Sequence, residues 1–203
     1  MSSRTLLAAI CAGFLVAGGV ARMPSAQQPA ATGAPAHNVA TFKGDSTWPS
    51  LPSNWVLGEV SSIAVDARDH IWVLHRPRSI PAQQRASAAP PVLEFDAAGT
   101  LVGSWGGPSE AFDWPEREHG IFVDSRGFVW ISGNGGWPKP TGPGSGDDMI
   151  LKFTAAGTFV MQIGHRGQSK GNTDTVNVRQ PADVFVHAPT NELFVADGYG
   201  NQR

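Results

Sequence analysis

Cysteine, tyrosine and charge are the scarce features of this 203-residue sequence. The one cysteine is Cys11 and the one tyrosine is Tyr199. Cys11 lies in an N-terminal apolar run, so the chain beyond that run has no disulfide and its stability must come from packing. Ile10 before Cys11 is a poor fit to the small residue that a lipoprotein signal requires. Charged residues make up 16% of the sequence with a formal net charge of −2. Without a basic excess there is no footprint for nucleic acid, and no amphipathic helix stands out that would lie on a membrane. Long apolar runs are scarce too. The run from Leu6 to about Val20 is short, rich in Ala and Gly, preceded by Arg4 and followed by small residues around Ala26. That layout predicts a secretory signal peptide over 1–26, then a disordered Ala/Pro/Gln spacer over 27–38, and a secreted or periplasmic protein with no membrane attachment after cleavage. Turn formers and aromatics are plentiful, with 24 Gly, 16 Pro, seven Trp and ten Phe. The expectation is turn-rich β-structure.

The sequence repeats itself. "IAVDARDHIWVLHR" (63–76) aligns with "IFVDSRGFVWISGN" (121–134), and "VLEFDAAGTLVGSWG" (92–106) aligns with "ILKFTAAGTFVMQIG" (150–164), both at an offset of 58 residues. A third copy opens at "VFVHAPTNELFVADGYGN" (184–201), one residue longer at its first turn. Each unit reads as short alternating strands joined by Asp/Ala/Gly turns, and four antiparallel strands at this period describe a β-propeller blade. The fold class is therefore all-β, a propeller over 39–203, with blade 1 at about 56–106, blade 2 at about 114–164 and blade 3 from about 179. Two blades and half a third do not close a ring, so the chain is expected to be the N-terminal fragment of a longer reading frame. The Pro/Gly-rich stretches 77–91 and 133–146 are loops between second and third strands, on one rim.

The blade pattern resembles the NHL-repeat family of six-bladed propellers. "SSIAVDARDHIWVLHR" (61–76), "EHGIFVDSRGFVWIS" (118–132) and "QPADVFVHAPTNELFVADGYGNQR" (180–203) resemble one branch more closely, the peptidyl-α-hydroxyglycine α-amidating lyases. The resemblance implies a metal-dependent lyase that splits a carbinolamide into an amide and glyoxylate, with zinc as cofactor and a structural calcium. It implies that His119 in "EHGI" is a zinc ligand, that Arg76 in "VLHR" grips the substrate carboxylate, and that Tyr199 in "ADGYGN" is the base. Backbone carbonyls of Ile63 and Ile121 would hold the calcium. The family's other two zinc histidines lie on later blades. Two departures stand out: Gly200 replaces a cysteine of the animal enzymes, and "HRPRSI" replaces their Gly-Asp-His run.

The residues themselves point the same way without closing the alternatives. Ser61, His119 and Ala182 are repeat-equivalent, two residues before an inner strand, and are expected to face the central channel. Histidines from alternate blades, two, four and six, would converge there with one position left open, as in a catalytic zinc site. A phenol ionises near pH 10 or so, so a tyrosine base needs a neighbouring cation, and an arginine holds a carboxylate bidentately. Taken singly, His119 also reads as a structural histidine, Arg76 as a rim ion-pair residue and Tyr199 as rim packing. His75 either orients Arg76 or is exposed. Asp183 reads most simply as a turn cap, Asp147 and Asp148 as solvated loop charges, and Trp72, Trp105 and Trp130 as packing residues. The partner is then a small-molecule or peptide substrate. The competing expectation is a non-catalytic NHL propeller whose rim loops bind a protein or glycan; a calcium-centred propeller hydrolase fits less well, because blades 1 and 2 offer a Ser and a His at the channel.

Overall fold

Strands alternating with Asp- and Gly-bearing turns give the chain ten antiparallel β-strands among the described residues. The computed structural model describes residues 40–136 and 145–203. The expected signal peptide and spacer, Cys11, and residues 137–144 of the second rim loop lie outside the described residues. Strands β1 (Glu59–Val65), β2 (Ile71–Arg76), β3 (Val92–Phe95) and β4 (Leu101–Trp105) form one four-stranded sheet in sequential order. Strands β5 (Glu118–Val123), β6 (Val129–Gly133), β7 (Met149–Phe153) and β8 (Phe159–Gly164) form a second, and β9 (Asp183–His187) pairs with β10 (Glu192–Ala196) in a third. These are successive propeller blades, and residues Gly44–Arg203 make one compact unit.

The turns follow from their residues. Asp66 Oδ1 accepts the N–H groups of Arg68 and His70, and Asp124 Oδ1 accepts those of Arg126 and Phe128, so one carboxylate closes each β1–β2 type hairpin. The second hairpins, at "AAGT", put Gly99 and Gly157 at φ +87° and +81°, the left-handed region. Both glycines also leave room for a tryptophan: a Cβ on Gly157 would come within 2.6 Å of Trp105, and one on Gly99 within 2.5 Å of Trp48.

The core lies between sheets. Trp72, Leu74 and Val92 of blade 1 pack against Ile121, Val129, Ile131, Leu151 and Phe153 of blade 2, with Trp114 filling the gap. Trp130, Ile150, Val184 and Val186 join blade 2 to blade 3. Each fully buried aliphatic or aromatic side chain contributes about 1.5–3 kcal/mol, and here that contribution is spent between blades as much as within them. The segment 48–57 packs over the middle strands of blade 1, where Trp48, Leu51, Trp55 and Leu57 cover Val73, Leu93 and Phe95.

The rim loop 77–91 is more ordered than its composition predicts. It carries two 3-10 turns, Pro77–Ser79 and Ala82–Ser87, and tucks Ile80 and Ala89 into the interior.

Candidate functional site

The candidate residues sit where strands leave their sheets, and a recurring side-chain latch holds those ends. In blade 1 the N–H of Gly58 donates to His75 Nδ1 at 3.1 Å. In blade 2 the equivalent N–H, that of Glu116, donates to Asp147 Oδ1 at 2.8 Å. In blade 3 the equivalent N–H of Arg179 donates to Asp197 Oδ1 at 2.7 Å. His75 and Asp197 are repeat-equivalent, His75 near the end of β2 and Asp197 just after β10. Blade 2 has Gly133 there and borrows its latch from the start of β7.

This corrects two expectations. His75 is wholly buried, with Nε2 against the carbonyl of Pro90 at 2.9 Å, and is a latch in its own right. Asp147 and Asp148 are not solvated loop charges: they are 0% and 5% exposed. Asp147 also accepts from the N–H groups of Arg117 and Gly135, and Asp148 from that of Ser169. Peptide groups that point inward at the rim need acceptors, and these carboxylates supply them. Burial pushes both carboxyls up from the ordinary range.

His119 and Ser61 are each the extra residue of a β-bulge, between Glu118 and Gly120 in β5 and between Val60 and Ser62 in β1. They lie inside the innermost strands, not before them; Ala182 does precede β9. A bulge bends the strand and re-aims one side chain. Here it turns His119 toward blade 3, where His119 Nε2 and Tyr199 Oη are hydrogen-bonded at 2.8 Å with ring centroids 4.9 Å apart. Gly120 permits that approach, since a Cβ there would meet Ser132 Oγ at 2.6 Å and the carbonyl oxygen of Ala182 at 2.9 Å.

Arg76 comes in from blade 1. Its Nε donates to the carbonyl of Glu118 at 2.8 Å, one residue from His119, and its NH1 pairs with Glu59 at 3.0 Å. The guanidinium is 15% exposed and Glu59 is 65% exposed. A carboxylate thus already rests on Arg76, through a surface pair that an incoming carboxylate can replace at little cost. Arg76 lines a cavity of about 350 Å³ with Arg78 and Arg117, opposite Glu59, Glu116 and Glu118.

The electrostatics bear on His119. Burial, then the charges of Arg76 and Arg117, hold its pKa below the usual histidine value, with Asp183 working in the other direction. The imidazole is neutral near pH 7, the form that ligates metals. Its Nδ1 is buried without a partner among the described residues. That donor chemistry fits a zinc ligand. Asp183, read as a turn cap, is the first residue of β9 and its Oδ1 accepts the N–H of Val184.

Ile63 and Ile121 stand on the adjacent innermost strands, where the N–H of Ile121 donates to Ser62 Oγ at 3.3 Å. Trp72 and Trp130 are buried packing residues whose indole N–H groups reach Asp66 and Asp124, and Trp105 packs against Phe153. One further group among the described residues has metal-like geometry: ligand atoms of Asp66, His70 and Glu94 lie within 4.8 Å of one another. Arg68 stands 2.7 Å from both carboxylates and is the cation there. Burial opposes ionisation of Asp66, but hydrogen bonds from Arg68, Trp72 and His70 prevail and hold it at about 2.

Sequence reasoning picked out Arg76, His119 and Tyr199; the structure hydrogen-bonds His119 to Tyr199 and anchors Arg76 on the carbonyl of the residue before His119. It missed Glu59, Arg78, Arg117 and Glu118. The run "EREHGI" was the available signal, with three charges directly before the histidine.

No family model matches the chain. NHL repeat-containing protein 3 of Homo sapiens is 24% identical over 162 residues, covering 78% of this chain and 40% of that protein. Peptidyl-glycine alpha-amidating monooxygenases A and B of Xenopus laevis are each 26% identical over 172 residues, 78% of this chain, and the match covers 16% and 18% of their lengths. The chain spans well under half the length of these curated relatives.

Proposed function

The chain belongs with the NHL-type β-propellers, and on that premise we propose that it is an exported, metal-dependent lyase that cleaves peptidyl-α-hydroxyglycine, or a closely related carbinolamide, into an amide and glyoxylate. The observation that carries this reading is the meeting of His119, Tyr199 and Arg76, with the 2.8 Å bond between imidazole and phenol at its centre and Arg76 anchored on the carbonyl beside His119. The relatives from Xenopus laevis, named for α-amidation of peptidyl-glycine, support it.

Arg76, flanked by Arg78 and Arg117, receives the substrate carboxylate in exchange for Glu59 and fixes the hydroxyl-bearing carbon beside Tyr199. Tyr199 takes the hydroxyl proton as the C–N bond breaks; the carbon becomes the aldehyde of glyoxylate, and the departing amide nitrogen gains a proton. Atoms and electrons balance without water or a redox partner. His119 holds the phenol in place and, as a neutral imidazole, would be one ligand of zinc, which when bound acidifies a hydroxyl near it. Ile63 and Ile121 would offer backbone carbonyls to a structural calcium.

The test is glyoxylate release from a peptidyl-α-hydroxyglycine by the complete gene product. Tyr199→Phe should lower kcat by roughly 10²–10⁴-fold, and Arg76→Ala should raise KM at least about tenfold. Wild-type constants in both variants would remove the assignment and leave a binding propeller.

A further inference from the structure

A second cavity, of about 340 Å³, flanks the candidate site. Its walls include Pro77 and Arg78, which follow Arg76 in the chain, and Glu118, which precedes His119; Ala88, Pro90 and Trp114 make much of the rest. The loop 77–91 forms one side. The surface is mainly apolar, and two charged side chains interrupt it.

Glu118 is unusual in what it leaves unmade, while Arg78 is exposed. Glu118 is 3% exposed. Its Oε1 accepts the indole N–H of Trp114 at 2.8 Å, while Oε2 is buried with no partner among the described residues. Buried polar atoms are nearly always paired, and an unpaired carboxyl oxygen is costly. Arg78 donates to the carbonyl of Glu116 at 3.0 Å and forms no ion pair among the described residues. The cavity therefore presents one acceptor needing a donor and one donor able to take an acceptor, on an apolar surround. An amide group carried on an apolar side chain has that complement.

Position selects which amide. A peptide residue spans about 3.5 Å, so when a terminal carboxylate sits on Arg76, the residue before it falls beside Pro77 and Glu118. We infer that this cavity is a subsite for the penultimate residue of a peptide substrate: Glu118 accepts its N–H, Arg78 donates to its C=O, and the apolar walls take its side chain. The inference rests on the lyase reading for its orientation, and it narrows the substrate class to peptides with an apolar residue before the hydroxyglycine.

The experiment uses N-acetyl-leucinamide, which has neither carboxylate nor hydroxyl and so reports on the cavity without needing Arg76 or Tyr199. Calorimetry on the complete gene product should give a Kd at least about tenfold tighter than for acetamide. Ala88→Trp, which fills the cavity from a half-buried loop position, should weaken it about tenfold or more, and Glu118→Leu should do so where melting curves show the variant folded. In the glyoxylate assay, Ala88→Trp should raise KM for a leucyl-hydroxyglycine peptide. Amide binding sensitive to Ala88→Trp in a protein that releases no glyoxylate would uphold the subsite and sink the lyase reading. An unchanged Kd and KM in Ala88→Trp, with glyoxylate still released, would overturn the subsite and leave the lyase reading standing.

Discussion

Blades 1 and 2 share a backbone and differ in what they hang on it. Both have a bulge in the innermost strand, but the bulge residue is Ser61 in one and His119 in the other. Both have an Asp-closed hairpin under a buried tryptophan. Beside it, blade 1 places Glu94 against His70 and Arg68, whereas blade 2 places Lys152 over Phe128 and Trp130, 4.1 and 4.6 Å from the ring centroids. Ile63 is 64% exposed and its repeat partner Ile121 is 4% exposed, because blade 1 lies against the latter. The lesson is that the repeat specifies strands and turns, while function and stability are decided at the few positions where the copies diverge.

The latches offer the sharpest break of that comparison. Asp147→Ala strips the acceptor from three N–H groups, one buried and two part-buried, and should cost about 3–5 kcal/mol in chemical denaturation. His75→Ala removes one such acceptor and should cost about 2 kcal/mol; the reverse order would show that the two latches are not equivalent devices. Next in size, Ile121→Ala should cost about 2–4 kcal/mol, while Ile63→Ala in the 203-residue chain should change stability by less than about 0.5 kcal/mol.

Smaller, but of diagnostic sign, is the pH response. Burial holds the His75 imidazole below its ordinary value, so the unfolded chain binds that proton more readily. The contribution is present above the unfolded pKa of about 6.5 and is lost as pH falls below it. Asp147 has its pKa raised by burial, and its contribution runs the other way: present below about 4 and lost as pH rises through its folded value. Acidification from neutral should therefore remove the histidine contribution while that of Asp147 grows, and His75→Asn should take away part of the destabilising component in denaturation midpoints, with His119 retaining the rest of that component. A small loss is expected of Lys152→Met, about 0.5–1 kcal/mol from the lost cation–π contacts, with Glu94→Gln of similar size.

Most of the fold was legible because it is repetitive. Period-two alternation, "AAGT" turns and the offset of 58 residues placed the strands of both full blades. The site was legible at Arg76, His119 and Tyr199 through their motifs. What escaped had no local signature. A bulge adds one residue to a strand and leaves hydrophobic alternation nearly intact, so His119 read as preceding its strand. The blade 2 latch comes from a position that is Ala89 in blade 1, so aligning the copies hides it; Asp147 looked like a loop charge until the peptide groups it satisfies were placed around it. The cavity at Glu118 exists only once the loop 77–91 folds back beside Trp114, a contact between segments that no short motif records.

The most direct measurement on the central claim is the zinc content of the purified complete gene product beside that of His119→Ala. The account predicts about one zinc per chain in the wild type and its loss in the variant, with folding retained. Equal zinc content in the two proteins, or none in either, would contradict it.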